Sequence, residues 1–155
     1  MFVTRSESDT LRFAGSLSDM LSVGDTVLLH GDLGAGKSVF ARGIARGMGI
    51  AGAMPSPTFT LLIPYNGRLK LYHYDLYRLN DPDEFYAAGL DEFIGGDGVA
   101  LIEWPEMAQI EPEPRLDVTI ERMDGEDADL RGITLQNCGI AGFHEEKLAE
   151  WRMDE

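Results

Sequence analysis

Apolar residues along this chain recur at two periods, every three to four residues in some segments and every second residue in others. The longer spacing is typical of a helix with one buried side, and alternation is typical of a strand. The longer spacing predicts helices over residues 8–21, 39–48, 81–90 and 141–151. Alternation and short apolar runs predict strands over residues 26–30, 58–65, 68–75, 99–102, 116–121 and 131–136. The chain is therefore predicted to have an α/β fold.

Two of these strand pairs are predicted to be hairpins. Asn66-Gly67 is a strong signal for a tight turn between residues 58–65 and 68–75. A polar segment at 124–129 separates the last two predicted strands. No segment repeats, and 155 residues suit one core, so we expect a single domain over residues 1–155.

The segment at 31–38 joins a predicted strand to a predicted helix and reads Gly-Asp-Leu-Gly-Ala-Gly-Lys-Ser. It matches G-x-x-x-x-G-K-S, the phosphate-binding loop of P-loop NTPases, in the strand–loop–helix context that this motif requires. The glycines let main-chain N–H groups approach a phosphate, and the helix N-terminus adds a positive dipole. Lys37 is predicted to reach the β- and γ-phosphates, and Ser38 to place its hydroxyl on Mg²⁺.

Two acidic residues at predicted strand ends are further candidates. Glu103 follows the apolar run 99–102, where P-loop enzymes place an acidic residue that helps to hold Mg²⁺, although an exposed strand-end carboxylate fits the pattern too. A two-residue turn at Asn66-Gly67 would place Thr58 directly opposite Asp75. Asp75 could then orient an attacking water or a metal-bound water, or could simply cap its strand.

Two other polar residues of the same segment have less specific interpretations. Arg78 could pair with a γ-phosphate or with a surface carboxylate. His73 lies in the middle of a predicted strand, where a packed histidine is the more common outcome. The other two histidines offer no metal-ligand spacing, so a zinc site is not expected.

The composition argues against strong, independent binding to nucleic acid. The chain carries 27 acidic and 13 basic residues, for a formal charge of −14, whereas binding a nucleic-acid backbone requires clustered Lys and Arg. A basic protein partner remains compatible with this charge. The single cysteine, Cys138, cannot form an internal disulfide. With no signal-peptide core and no long apolar run, we expect no membrane association and a cytoplasmic location.

Four stretches together resemble a known family. They are residues 31–38, Ser56-Pro57-Thr58-Phe59-Thr60-Leu61, His73-Tyr74-Asp75-Leu76-Tyr77-Arg78-Leu79 and Glu103-Trp104-Pro105. In this order and spacing they resemble the TsaE (formerly YjeE) family, small bacterial ATPases of tRNA threonylcarbamoyladenosine biosynthesis. The resemblance extends over about residues 8–135. Its H-x-D-L-Y-R-L and E-W-P elements are specific to that family, whereas many families share the phosphate loop.

The resemblance implies a fold, an activity and partners. The fold would be a three-layer P-loop NTPase-like domain with a mixed, partly antiparallel central sheet. The activity would be hydrolysis of ATP with Mg²⁺, weak in isolation. The partners would be TsaB and TsaD, whose complex the ATPase would reset between rounds of transfer to adenosine 37 of tRNA. The tRNA would be met only indirectly, through that complex.

The resemblance also implies roles for individual residues. Catalytic roles fall on Lys37, Thr58, Asp75 and Glu103, where Thr58 matches a switch-like threonine and Asp75 the essential acid. The residues of the metal site would be Ser38, Glu103 and Asp75, of which Ser38 and Glu103 match the Mg²⁺ ligands of the family. Trp104 matches the tryptophan next to the metal-site glutamate. The nucleotide-binding positions would be Thr10, Gly31, Asp32, Leu33, Gly34, Ala35, Gly36, Lys37, Ser38, Val39, Trp104 and Arg131.

The chain departs from the family pattern at Ser38, where Thr is common, and it matches only loosely after Ile120. Two other functions remain as alternatives. A small P-loop kinase of a metabolite is disfavoured, because the segment after residue 103 is acidic and proline-spaced and is not an arginine-rich lid. A nucleotide-gated assembly module, in which binding itself drives association, remains open.

Overall fold

The computed structural model describes residues 1–50, 61–123 and 128–153. In these residues one sheet contains seven strands: β1 (Phe2–Thr4), β2 (Thr26–His30), β3 (Leu62–Asn66), β4 (Lys70–Asp75), β5 (Val99–Glu103), β6 (Arg115–Arg122) and β7 (Arg131–Cys138). The α-helices are α1 (Glu7–Ser18), α2 (Lys37–Gly47) and α3 (Pro82–Ala87). Short 3₁₀ helices cover Leu90–Phe93, Pro105–Met107 and Glu145–Trp151.

The sheet is mixed, as predicted. Its strand order is β1-β7-β6-β2-β5-β4-β3. The four inner strands, β6, β2, β5 and β4, are parallel to one another, and antiparallel strands extend the sheet at both edges. The carboxyl ends of β2, β4 and β5 therefore meet at one edge of the sheet, where open α/β sheets bind their ligands.

Helical elements cover both faces of the sheet, which gives three layers. On one face α1, α2 and the last 3₁₀ helix bury an aromatic cluster in which Phe13 contacts Phe2 and Trp151, each at a ring-centroid distance of 5.4 Å. On the other face α3 and the 3₁₀ helix Leu90–Phe93 cover β4 and β5, with Tyr74 and Phe85 fully buried. The predicted three-layer α/β fold is confirmed.

Apolar spacing predicted which residues are buried better than where a helix ends. Ser6 caps α1 by accepting a hydrogen bond from the Asp9 amide at 3.0 Å, and the helix ends at Ser18, three residues earlier than predicted. Met20 and Leu21 continue the apolar spacing and are buried, but they lie in the turn that follows. Likewise the last predicted helix is a 3₁₀ helix that still buries Leu148 and Trp151.

The register predicted for the first hairpin is wrong. The structure pairs Tyr65 with Leu71 and Asn66 with Lys70, so residues 67–69 form a three-residue loop in place of the two-residue turn. The Arg68 amide donates to the Met48 carbonyl at the end of α2, which takes Arg68 out of the ladder. A tertiary contact thus overrides the local turn signal.

The changed register removes the predicted pairing of Thr58 with Asp75. The Asp75 amide donates a hydrogen bond to the Leu61 carbonyl at 3.0 Å. Leu61, and not Thr58, therefore lies across the ribbon from Asp75. Thr58 itself lies outside the described residues.

In the part of the chain described, no helix has the length and apolar character needed to cross a bilayer.

Candidate active site

The phosphate-loop segment follows β2 directly and leads into the N-terminus of α2. Gly36 caps α2 with a φ of 110°, and Gly31 adopts a φ of 148°, both in a region that side chains disfavour. A Cβ on Gly31 would lie 2.5 Å from the Ile120 carbonyl oxygen, so this position requires glycine for space as well as for conformation. The predicted positions from Gly31 to Val39 thus form the loop and the first turn of α2.

Lys37, the first residue of α2, is the buried cation of this site. Lys37 is only 6% exposed, and its Nζ has no hydrogen-bond partner among the described residues. Nζ lies 3.5 Å from the centroid of the Trp104 ring, a cation–π contact. Burial lowers the pKa of Lys37. Four nearby carboxylates raise it, and their effects decrease in the order Glu103, Glu106, Asp75 and Asp32.

The two predicted acidic residues converge as expected from their strand ends. Asp75 and Glu103 are the last residues of neighbouring parallel strands and are direct partners in the β4–β5 register. Both are buried, at 7% and 6% exposure. The Tyr77 amide donates to Asp75 Oδ1 at 3.0 Å, so the strand-end cap expected as an alternative is present, and it occupies one of the two carboxylate oxygens.

Glu103 has a buried partner that sequence analysis did not assign to the site. His73 Nε2 lies 2.7 Å from Glu103 Oε2, and the two residues are 4% and 6% exposed. Since a carboxylate only accepts, the imidazole Nε2–H is the donor. His73 and Asp75 are two apart on β4 and so share a face of the sheet. That i, i+2 spacing was the signal in the sequence that could have placed His73 beside the strand-end acids.

Trp104 takes its position from an unusual backbone conformation. Directly after β5 it adopts a φ of 58°, which is uncommon for a bulky residue. Its ring packs against Tyr77 at a centroid distance of 5.0 Å as well as against the Lys37 ammonium. The structure therefore brings Lys37, Asp75, Glu103 and Trp104, all predicted from the sequence, to one place beside the phosphate-loop segment.

Comparison with known proteins assigns the chain to a family. The family model for TsaE, the threonylcarbamoyl adenosine biosynthesis protein, matches residues 4–130. The chain belongs to the TsaE family. Curated relatives carry the name tRNA threonylcarbamoyladenosine biosynthesis protein TsaE. The protein of Treponema pallidum is 46% identical over 76% of this chain and 87% of its own length. That of Rickettsia conorii is 37% identical over 97% of this chain and 82% of its own length.

A solved structure supports the same assignment. The crystal structure of Bacillus subtilis YdiB superposes with a TM-score of 0.76 at 36% identity, and the match covers 96% of this chain and 90% of that one. The curated TsaE of the same species is 42% identical over 74% of this chain and 72% of its own length. As a TsaE-family protein, the chain belongs with proteins of tRNA threonylcarbamoyladenosine biosynthesis.

Two further predicted nucleotide contacts of this TsaE-family protein, Thr10 and Arg131, lie beside Gly36 of the loop. Arg131 Nε donates to the Ala35 carbonyl at 2.8 Å, so the guanidinium is bound to the backbone of the loop. Thr10 is buried on α1, with its hydroxyl 2.7 Å from that of Thr4. Thr10, Arg131 and Gly36 share the lining of a small cavity of about 50 Å³ with Glu7, Val39 and Asp129. Whether either residue contacts a nucleotide stays a prediction.

The donor set at this site suits Mg²⁺ better than it suits a transition metal. Among the described residues no three His, Cys, Asp or Glu side chains form a metal-binding cluster. Mg²⁺ needs no such cluster, because it is commonly held by one or two carboxylates with waters and substrate phosphates. Ser38, exposed in the first turn of α2, and the carboxylates of Asp75 and Glu103 supply oxygen donors of that kind.

A wider groove of about 740 Å³ lies apart from these residues. It runs along the opposite face of the sheet over β2, β6 and β7, beside the 3₁₀ helix Pro105–Met107. In it Asp117 binds Arg115 Nε and His30 Nε2, both at 2.9 Å. Asp117 is therefore hydrogen-bonded within the groove, and the groove is not lined by Lys37, Asp75 or Glu103.

Proposed function

We propose that this TsaE-family protein is a single-domain ATPase that binds and hydrolyses ATP with Mg²⁺ in the biosynthesis of tRNA threonylcarbamoyladenosine. One observation carries the proposal. The buried Lys37 ammonium has no hydrogen-bond partner in the described residues, although burying a charged group without hydrogen bonds is costly. It stands at the start of a helix in a G-x-x-x-x-G-K-S segment, where an anionic phosphate would satisfy it.

The proposed division of labour follows from position. The main-chain amides of the loop and Lys37 bind the β- and γ-phosphates, and the N-terminus of α2 adds its dipole. Ser38 and Glu103 hold Mg²⁺, which when bound neutralises charge on the phosphate oxygens. Asp75, the neighbour of Glu103 on β4, orients the attacking water or a water on the metal. Before nucleotide binds, the Trp104 ring covers one side of the Lys37 ammonium.

We also propose the partners. TsaB and TsaD together are the complex on which the ATPase acts, and the tRNA is met through them. The formal charge of −14 supports this order, because an acidic surface repels a free tRNA backbone. The same charge suits a partner that presents a basic surface.

The test is an ATPase assay with and without the TsaB–TsaD pair. Turnover is expected to be slow for the protein alone and to rise when the pair is added. Lys37→Ala is expected to abolish turnover. Lys70→Ala is the matched control, because Lys70 is an exposed lysine of β4 whose charge is paired with Asp97 at 3.2 Å. Unchanged turnover in Lys37→Ala would refute the proposed phosphate site.

A second variant tests the role of Asp75. Asp75→Ala is expected to retain much of its ATP affinity while losing turnover, because the residue is assigned to the water and not to the phosphates. An equal loss of ATP affinity in Lys37→Ala and Asp75→Ala would contradict that assignment.

Complex formation measured with ATP, ADP and a non-hydrolysable analogue separates an ATPase from an assembly module that needs nucleotide binding only.

A further inference from the structure

His73 is a buried polar residue to which the proposed function gives no task. It is 4% exposed in the middle of β4, on the same face of the sheet as Asp75 and two residues before it. A buried imidazole is tolerated where its nitrogens are hydrogen-bonded. Here Nε2 is bonded to Glu103 Oε2 at 2.7 Å, whereas Nδ1 has no partner among the described residues. The Glu103 bond is therefore the polar contact that fixes the ring.

The strand register explains why this contact constrains Glu103 in particular. In the parallel β4–β5 pair, His73 is opposite Leu101 and Asp75 is opposite Glu103. In the register His73 is therefore level with the residue two before Glu103, and its donor holds one oxygen of the Glu103 carboxylate. A carboxylate held by one oxygen keeps a fixed orientation and keeps its second oxygen for another ligand.

We infer that His73 is a positioning residue for Glu103: its Nε2–H fixes the rotamer of the carboxylate that holds Mg²⁺ against the bound triphosphate. This inference rests on the proposed function. Hydrogen bonds to ligating carboxylates orient them, and loss of such an outer partner typically lowers metal affinity by about 10- to 100-fold. His73 would leave the affinity for metal-free nucleotide unaltered, because it contacts no residue of the phosphate loop in the hydrogen bonds of the described chain.

Two substitutions of similar polarity separate positioning from simple packing. In His73→Gln the amide Nε2 is the same number of bonds from Cα as the imidazole Nε2, so a donor reaches Glu103. In His73→Asn the donor is one bond shorter and the contact is lost. The measurement is ATP binding by calorimetry over a series of Mg²⁺ concentrations, and again without Mg²⁺.

The Mg²⁺ concentration for half-maximal enhancement of ATP affinity is expected to rise by about 10-fold or more in His73→Asn and to stay near the wild-type value in His73→Gln. Affinity without Mg²⁺ is expected to be equal in all three proteins. Equal Mg²⁺ midpoints in wild type and His73→Asn would overturn the inference. A wild type whose ATP affinity does not respond to Mg²⁺ would overturn the proposed function as well, so the two failures are distinguishable.

A double-variant comparison tests whether His73 acts through Glu103. In a Glu103→Gln background, adding His73→Asn is expected to raise the Mg²⁺ midpoint no further, whereas additive losses would overturn the inference.

A nuclear magnetic resonance measurement tests the same inference on the wild-type protein. The ¹⁵N resonance of His73 Nε2 is expected to shift when Mg²⁺ is added to the ATP complex, because the cation polarises the Glu103 carboxylate that His73 contacts. An unshifted resonance would overturn the inference.

Discussion

Gly43 lies where α1 and α2 cross with their backbones nearly in contact. A Cβ on Gly43 would be 2.5 Å from the Cβ of Ala14 and 2.8 Å from the Leu11 carbonyl oxygen, whereas ordinary contact begins at 3.4 Å. Neither neighbour can rotate away, because one is a Cβ and the other is a main-chain atom. We predict that Gly43→Ala separates the two helices, and α2 is the helix that carries Lys37 and Ser38 at its start.

The magnitude follows from two opposing effects. An extra carbon in a packed interface costs about 1–3 kcal/mol. Replacing Gly by Ala in a helix interior gains about 0.5–1 kcal/mol. Since both close neighbours of Gly43 are rigid, the cost lies in the upper part of its range, and we expect Gly43→Ala to lower the free energy of unfolding by about 1–2.5 kcal/mol. Reduced ATP affinity is expected to accompany this loss.

Gly15 on α1 supplies the matched control. Its added Cβ would have the Gly43 carbonyl oxygen at 3.9 Å as its nearest neighbour, which is an ordinary contact. Only the helix-propensity gain remains, so Gly15→Ala is expected to raise the free energy of unfolding by about 0.5–1 kcal/mol. Urea unfolding of the two variants should thus show opposite signs. Stabilisation by both substitutions would refute the argument from helix contact.

Three further predictions concern single groups. In a Trp151→Phe variant Trp104 is the remaining tryptophan. Its fluorescence is expected to change when MgATP binds, because the Lys37 ammonium moves from the Trp104 ring to the phosphates. Constant emission, while calorimetry shows that MgATP binds, would contradict this prediction. Burial raises the pKa of Asp25 above 3.8, so the folded protein binds more protons there and stability falls as the pH rises through that range. Asp25→Asn is therefore expected to have a higher free energy of unfolding in urea than wild type at neutral pH, and the same free energy of unfolding as wild type below pH 3.8. An equal increase at both pH values would count against the buried charge as the cause. Arg131→Lys is expected to cost about 1 kcal/mol through loss of the Nε bond to the loop, with faster amide hydrogen exchange at residues 34–36 as the check.

Local patterns were sufficient for much of the fold and for the centre of the site. The apolar run of β5 and the glycine-rich segment after β2 predicted two strand ends at one sheet edge, and Lys37, Glu103 and Asp75 do meet there. This works because parallel neighbours align their carboxyl ends whatever the sequence distance between them.

The parts that could not be predicted depend on tertiary contacts. The Asn66-Gly67 turn signal gave the wrong register because the Met48 carbonyl at the end of α2 binds the Arg68 amide. No local pattern places Trp104 over Lys37, because that contact needs a positive φ at a bulky residue. Strand β1 also escaped prediction, since three residues carry too little periodicity.

The register of β4 against β5 determines the site through the face that His73 and Asp75 share. A slip of one residue between β4 and β5 would move both side chains to the opposite face of the sheet, away from Lys37. That slip is opposed by the core on the other face, where Tyr74 and Ile102 are register partners and both are fully buried. Burial of apolar residues on one face of β4 and β5 therefore fixes the relative positions of the carboxylates on the other. The acids need not attract one another to meet, and two neighbouring negative charges would not.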